Sequence, residues 1–358
     1  MNGQLYWYCT GNVDYDVSAP CPCSTPLLPP KVTMSLHLPT LSELDDAAAI
    51  VYRAMPPTPQ YCWPLINQAL GTEVWIKHEN HTPTGAFKVR GGLVYVDALR
   101  RRLPQVQGVV SATRGNHGQS IGFAAQRHGL AATIVVPHGN SKEKNAAMRG
   151  LGVTLVEHGA EFQDSREHAA MLAEERGLHM IPSFHRDLVS GVASYWMELL
   201  RAQPKLDLLL VPIGQGSGIS AAVAARNALG LSTRIIGVVS AHALAYKLSF
   251  EQNVLRESPV STVVADGMAC RVPDPESLEI LLGHVDDVVA VSDAEVGAAM
   301  RLYYLATHNV AEGAGAAALA AALQLGGRLH GKRIGVPLCG GNVDHDQFAA
   351  ILLAQPLH

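Results

Sequence analysis

The stretch TPTGAFKVRGG, residues 82–92, places a lysine, Lys88, between a Pro-Thr-Gly turn and the start of a helix. Lysine is disfavoured there, because the amino end of a helix carries a partial positive charge. Held beside that charge and partly desolvated, an ammonium loses stability and its pKa falls. A neutral amine is a nucleophile toward aldehydes and a base afterwards. Two more glycine-bearing turns could join it, TRGNHGQ (113–119) and GQGSGIS (214–220). Each follows a strand-like run and opens a helix, so its backbone N–H groups are free to meet an anion. By itself Lys88 reads as a solvated lysine; together with two such turns it reads as part of a site.

GQGSG, after the strand LDLLLVPI, is the better phosphate cradle. A dinucleotide fingerprint would read GxGxxG, with an acid about 20 residues on. Here the pattern from Gly214 is G-x-G-x-G, and the next strand, RIIGVVSA, ends without an acid. A single phosphate on a small cofactor fits better than NAD; the alternative is a plain helix-entry turn. A lysine, a phosphate cradle and a parallel sheet together suggest pyridoxal 5'-phosphate held as a Schiff base.

The elements that must position these turns alternate from about residue 73. EVWIKHE, GVVSAT, ATIVVP, VTLVEHG, LDLLLVPIG, RIIGVVS and KRIGVPLCGG read as strands, with helical runs such as KVRGGLVYVDALRRRL and GISAAVAARNALG between them. Short apolar strands alternating with helices predict an α/β fold with parallel sheets covered on both faces. Such sheets gather their glycine turns at the carboxyl ends of the strands, where ligands bind. Residues 1–33 are irregular and rich in Pro, Gly and Cys, and read as an extension. From Met34, SLHLPTLSELDDAAAIVYRA reads as a helix with its cap. The last strand lies near the carboxyl terminus, which predicts no appended regulatory domain.

Composition narrows the partners. Of 358 residues, 48% are hydrophobic and 16% charged, and the net charge is -4, so a basic nucleic-acid or membrane surface is not expected. The six cysteines lack a repeated CxxC, and CPC at 21–23 has no matching ligand pair, so they read as free thiols in a reducing cytosol. No basic segment precedes an apolar core at the amino terminus, and GAGAAALAAAL is too short to span a bilayer. The expectation is a soluble, cytoplasmic protein with no membrane or nucleic-acid partner.

Six motifs in order, GAFKVRGG, TRGNHGQ, GQGSG, ADGMACRVP (265–273), AEGAGAAALA (311–320) and LCGGNVD (338–344), resemble the serine/threonine dehydratase family over roughly residues 55–347. These are fold-type II pyridoxal-phosphate enzymes, tryptophan synthase β-like. The group also holds serine racemase and the 3-hydroxyaspartate dehydratases. The resemblance implies two parallel-sheet α/β domains with the cofactor in the cleft: a large one over 34–108 and 188–358, and a small mobile one over 109–187. It also implies a homodimer. Lys88 would carry the Schiff base, with Phe87 against the ring. Asn116 would bond the 3-hydroxyl, Gly214, Gln215, Gly216, Ser217 and Gly218 the phosphate. Cys339 would face the pyridine nitrogen, and Glu312 would be an acid near the ring. Thr113, Arg114, Gly115, Asn116 and His117 would hold the carboxylate of an amino-acid substrate. The implied reaction is that of a threonine ammonia-lyase-like dehydratase, L-threonine or L-serine going to a 2-keto acid and ammonia. The alternatives are a 3-substituted serine such as threo-3-hydroxyaspartate or 3-phenylserine, and, further off, a racemase or a β-replacement synthase.

Three departures from the family's pattern matter. Arg114 stands where the family usually has Ser or Ala; racemases of the family use that serine as a second base, and a guanidinium cannot easily replace it. Arg114 either clamps a second substrate carboxylate or points outward to an acidic partner or solvent. The metal-binding members carry acids where this chain has Val239, Ala243 and Ala245, so no Mg or Ca is expected there. Finally, four glycines have become Gly-Gln-Gly-Ser-Gly, which can still cradle a phosphate. Outside the motifs, His117 reads as orienting its loop and Asp266 as shaping one. Tyr303 and Tyr304 read as core, and the pair His185-Arg186 invites a catalytic reading that nothing else in the sequence supports.

Overall fold

The computed structural model describes residues 38–353. The extension expected over residues 1–33, with Cys9, Cys21 and Cys23, lies outside them. Ten strands follow in chain order: β1 (Gln60–Cys62), β2 (Glu73–His78), β3 (Gly108–Ala112), β4 (Ala131–Val136), β5 (Thr154–Glu157), β6 (His179–Met180), β7 (Leu208–Pro212), β8 (Arg234–Ser240), β9 (Asp287–Val291) and β10 (Arg333–Leu338). They form a six-stranded sheet in the order β1-β2-β10-β7-β8-β9 and a four-stranded sheet in the order β5-β4-β3-β6. All pairs are parallel except β1 with β2.

The parallel expectation thus fails at one edge. With three residues, β1 is too short to show a period, and its antiparallel register follows from the brief Pro64–Leu70 helix that links it to β2. The sequence reading also passes over β6 and β9, the first because it has only two residues. Elsewhere the apolar runs behave as parallel strands should: β3 is buried at every position, β10 at all but its first. Pro337 in β10 has no N–H to give a ladder. Pairing with β2 runs from Arg333 to Leu338, whereas pairing with β7 stops at Gly335.

The helix of Leu41–Tyr52 begins as expected, with a capping box in which Thr40 and Glu43 satisfy each other's backbone N–H groups. The helix Gly313–Leu325 packs on β7 and β10, and every residue from Gly313 to Ala322 is buried. Its run of Ala and Gly presents almost no side-chain bulk, which lets two layers close on it. Tyr303 lies in the same core, as read from the sequence, and Tyr304 is partly exposed.

A charged cluster lies beneath the start of the Lys88 helix. Arg90 Nε donates to Glu79 at 2.7 Å and Arg90 Nη1 to Glu198 at 2.6 Å, while Lys77 Nζ donates to Glu198 and to the Thr58 carbonyl. Lys77, Glu79 and Arg90 are 0% exposed. Two cations and two carboxylates balance, and each charge is hydrogen-bonded, the condition under which buried ions persist. The arrangement ties β2 and the helix Arg186–Ala202 to the first turn of the helix Lys88–Arg102. Among the described residues no helix is long and apolar enough to cross a membrane.

Candidate active site

Lys88 is the first residue of the helix Lys88–Arg102, and Phe87 is its cap. The Phe87 N–H donates to the Cys339 carbonyl at 2.9 Å, which fixes this turn against the end of β10. Lys88 Nζ donates to Ser217 Oγ at 2.7 Å and lies 4.9 Å from the centre of the Phe87 ring. Burial lowers the Lys88 pKa to about 8, against a smaller opposing pull from Cys339. The depression expected from the sequence is present, with desolvation as its leading cause. In the cofactor-free protein, labelling of Lys88 by fluorodinitrobenzene, followed by peptide mass mapping, is therefore expected to rise with a midpoint near pH 8. A midpoint near 10.4, the ordinary lysine value, would mean that the amine is solvated.

The GQGSG turn runs from β7 into the helix Ser217–Ala228, whose cap is Gly216. At φ +94° only glycine is unstrained, and a Cβ there would collide with Ser277 and come within 2.9 Å of Tyr246 Oη. The N–H groups of Ser217, Gly218 and Ile219 begin the helix and have no preceding turn to bond, so they are free as donors, and Ser217 and Gly218 line the cavity. The Gln215 carbonyl accepts from Tyr246 Oη at 3.2 Å, and Gln215 Nε2 donates weakly to Cys270 Sγ.

The second glycine turn carries Thr113 to Gly115 from β3 into the helix Asn116–Arg127. Thr113 Oγ1 accepts from the Gly115 N–H at 2.9 Å and braces the bend. Gly115, at φ +148°, touches Lys144 so closely that a Cβ would overlap its side chain. Asn116 Nδ2 donates to Glu312 Oε1 at 2.5 Å, and Asn116 Oδ1 accepts from Asn342 Nδ2 at 2.9 Å. Lys144 Nζ stands 2.7 Å from Asp266 Oδ2 and 3.1 Å from Glu312 Oε2. Burial works against the Lys144 charge, but the two carboxylates outweigh it and hold the ammonium protonated. Burial also raises the Glu312 carboxyl, and one cation shared between two acids does not fully offset that.

Every residue that the resemblance assigned to cofactor or substrate lines one cavity of about 120 Å³: Phe87, Lys88, Thr113 to His117, Gly214 to Gly218, Glu312 and Cys339. Arg114 lines it too, half-buried, with its Nε buried and no acidic partner among the described residues. His117 is buried, its pKa pushed down to about 3 chiefly by desolvation, so it is neutral. Lys144 and Asp266 complete the wall. The sequence reading missed Lys144, since a lysine in SKEK has no local mark of burial, and it read Asp266 only as a loop residue. His185 instead caps the helix Arg186–Ala202, and Arg186 pairs with Glu43 at the surface. Val239, Ala243 and Ala245, the positions tied to a metal by resemblance, are buried and offer no side-chain oxygen.

The donor set fits pyridoxal phosphate. It offers a buried amine of lowered pKa, a helix start with free N–H groups beside a hydroxyl, and a thiol at the end of β10. Burial pushes the Cys339 thiol up, so it stays neutral, with Sγ 3.3 Å from the Ala314 carbonyl.

A family model described as pyridoxal-phosphate dependent enzyme matches residues 51–340. The chain is 30% identical over 316 residues to an L-threo-3-hydroxyaspartate ammonia-lyase of Saccharomyces cerevisiae, covering 88% of this chain and 97% of that protein. It is 34% identical to an L-threonine ammonia-lyase of Geobacter sulfurreducens, covering 80% and 71%. Among solved structures, maize serine racemase superposes with a TM-score of 0.82 at 27% identity, covering 87% of this chain and 96% of that one.

Proposed function

Since the chain belongs to the family of pyridoxal-phosphate-dependent enzymes, we propose that it is an ammonia-lyase that converts a β-hydroxy amino acid to a 2-keto acid and ammonia. The fold is the fold-type II α/β fold, and pyridoxal 5'-phosphate is the cofactor. One observation carries the reading of the reaction: a buried amine of lowered pKa, Lys88, 2.7 Å from the hydroxyl that opens the glycine-rich turn. The relatives named for L-threonine and for L-threo-3-hydroxyaspartate support the substrate class.

Lys88 would hold the cofactor covalently, the turn 214–218 its phosphate, Asn116 its 3-hydroxyl and Cys339 its ring nitrogen, with Phe87 against the ring and Glu312 nearby. Bound there, its carbonyl carbon would pass from the Lys88 amine to the substrate amine, which frees Lys88, and its ring would supply an electron sink for the α-carbon. The N–H groups at the start of the helix Asn116–Arg127, with Thr113, orient the substrate's α-carboxylate. Lys88 Nζ, as a free amine, takes the α-proton, and the β-hydroxyl takes up one proton and leaves, so that the elimination balances as loss of one water. A pKa near 8 keeps part of the Lys88 population neutral at physiological pH, as a general base requires. Cys339, a neutral thiol, brings no negative charge to retain a proton on the ring nitrogen, which favours prompt loss of the β-group. Release of the resulting enamine and its hydrolysis give the keto acid and ammonia.

A racemase would need a second neutral base across the substrate, and Arg114 does not supply one. A β-replacement synthase would consume a second nucleophile and release keto acid slowly. The reading includes a small mobile domain over 109–187 that closes on a large one and excludes water. All four strands of the smaller sheet fall between Gly108 and Met180, which supports that division. Across the proposed boundary the Asp344 carboxylate accepts from Ser141 Oγ and from the Lys142 and Glu143 N–H groups, contacts that would have to break for the small part to open. A homodimer in the cytoplasm completes the reading.

The test is 2-keto acid release by the cofactor-loaded protein from L-threonine, L-serine, D-threonine, threo-3-hydroxyaspartate and threo-3-phenylserine. Turnover of at least one L-β-hydroxy amino acid is expected. No keto acid from any of them, with the yellow cofactor still bound, would end the ammonia-lyase reading in favour of the synthases.

A further inference from the structure

The cavity around Lys88 opens onto a second, larger one of about 470 Å³. Ala112, Arg114, Phe162, Ser183, Gln215 and Ala269 line both, so they frame the passage between them. Of these, Arg114 alone carries a charge.

The cations around the two cavities differ in what they already hold. Lys144 is taken up by Asp266 and Glu312. Arg271 Nη1, in the outer cavity, is 3.0 Å from Glu161 Oε1. Arg166, without an ion pair among the described residues, lines only the outer cavity, whose wall carries Glu161, Glu167 and Asp274. Arg114 has no ion pair among the described residues, and its Nε is buried without a hydrogen-bond partner. Arg114 is half-buried as a residue, and its Nε alone lies dry without an acceptor; a carboxylate arriving from outside would supply one.

A substrate with one carboxylate does not need this group. The α-carboxylate already has the Asn116 and His117 N–H groups at the helix start, where anions are favoured. Arg114 lies two residues earlier in the same turn, on the way to the outer cavity. An acid group on the far side of the substrate's β-carbon, pointing away from Lys88, would meet it.

We propose that Arg114 is a specificity residue that receives a second carboxylate, so that the preferred substrates are acidic β-hydroxy amino acids of the 3-hydroxyaspartate type. This rests on the ammonia-lyase reading for the reaction but not for the binding. The outer cavity has as many acids as arginines in its wall and is not itself an anion site; its part is to give the distal group room and water.

The test therefore has a binding arm and a turnover arm, both on the cofactor-loaded enzyme. L-Aspartate and L-2-aminobutyrate carry no β-hydroxyl, and their binding is read from the visible absorbance. Arg114→Gln is expected to weaken L-aspartate about 30-fold more than L-2-aminobutyrate, the size of a lost charge-assisted pair. Arg114→Lys should fall between, because an ammonium keeps the charge but not the two-pronged geometry. In turnover, wild type should favour L-threo-3-hydroxyaspartate over L-threonine in kcat/KM, and Arg114→Gln should shrink that ratio by a similar factor, through KM.

Equal weakening of both ligands would assign Arg114 to the shared α-carboxylate and overturn the proposal. So would no weakening of either, or a wild type that prefers L-threonine. Selective loss of L-aspartate binding in a protein that releases no keto acid would keep Arg114 as the clamp and sink the ammonia-lyase reading alone. If Arg114→Gln does not fold, Arg114→Lys carries the comparison with a smaller expected ratio.

Discussion

Lys88→Ala, loaded with pyridoxal phosphate, is expected to release keto acid about 10³-fold more slowly than wild type, or slower still. Loss of a positioned base alone accounts for about 10²–10⁴-fold, and the covalent hold on the cofactor goes with it. The effect should be confined to chemistry. Lys88 Nζ makes one side-chain hydrogen bond, to Ser217 Oγ, and alanine is the best helix former at the position it leaves. Burial lowers the Lys88 pKa, which means that the folded protein disfavours the ammonium. Folding therefore carries a penalty at neutral pH, present wherever the unfolded lysine is protonated and the folded one is being forced to stay so. The cofactor-free variant is thus expected to melt no lower than wild type. Activity within tenfold of wild type, measured after exhaustive dialysis of the variant, would remove Lys88 from the chemistry.

The second large effect lies in the same helical turn and concerns stability. Arg90→Met should cost about 3–5 kcal/mol, because it leaves Glu79 and the nearly buried Glu198 with Lys77 as the one remaining cation among the described residues. Urea unfolding followed by fluorescence would read this as a lower midpoint. The double variant Arg90→Met/Glu79→Gln removes one charge of each sign and should recover part of the loss. If the single variant unfolds at the wild-type midpoint, the cluster is not the anchor described here. The Arg90 N–H bonds the Phe87 carbonyl, and its side chain is tied to Glu79 just after β2, so the same change should also loosen the turn that presents Lys88. A fall in cofactor retention that tracks the fall in stability would connect the two.

Much of this was legible before any coordinates. Lys88 was conspicuous because a cation at a helix start contradicts the helix dipole, and local rules broken in this way mark functional positions. The three glycine turns were legible because strand, glycine and helix follow one another within a few residues. In a parallel sheet that order brings such turns to the same edge. Lys144 was not legible. It becomes part of the site only because Gly115 lets the two chains touch, and because Asp266 and Glu312, both more than 100 residues away in sequence, arrive at its ammonium. Arg114 was visible as an oddity whose direction was open.

The amino-acid sequence by itself determined the class of fold and the cofactor, and it singled out Lys88 as the amine to propose as reactive. These depend on periodicity, on backbone freedom and on residue type, which are local properties. The tertiary structure alone decided which charges neutralise one another. It tied Lys144 to two carboxylates, balanced Arg90 and Lys77 against Glu79 and Glu198, and left Arg114 without an ion pair among the described residues, between two cavities. Whether a buried charge has a partner depends on distances of a few ångströms between residues far apart in the chain, and no local pattern encodes those distances.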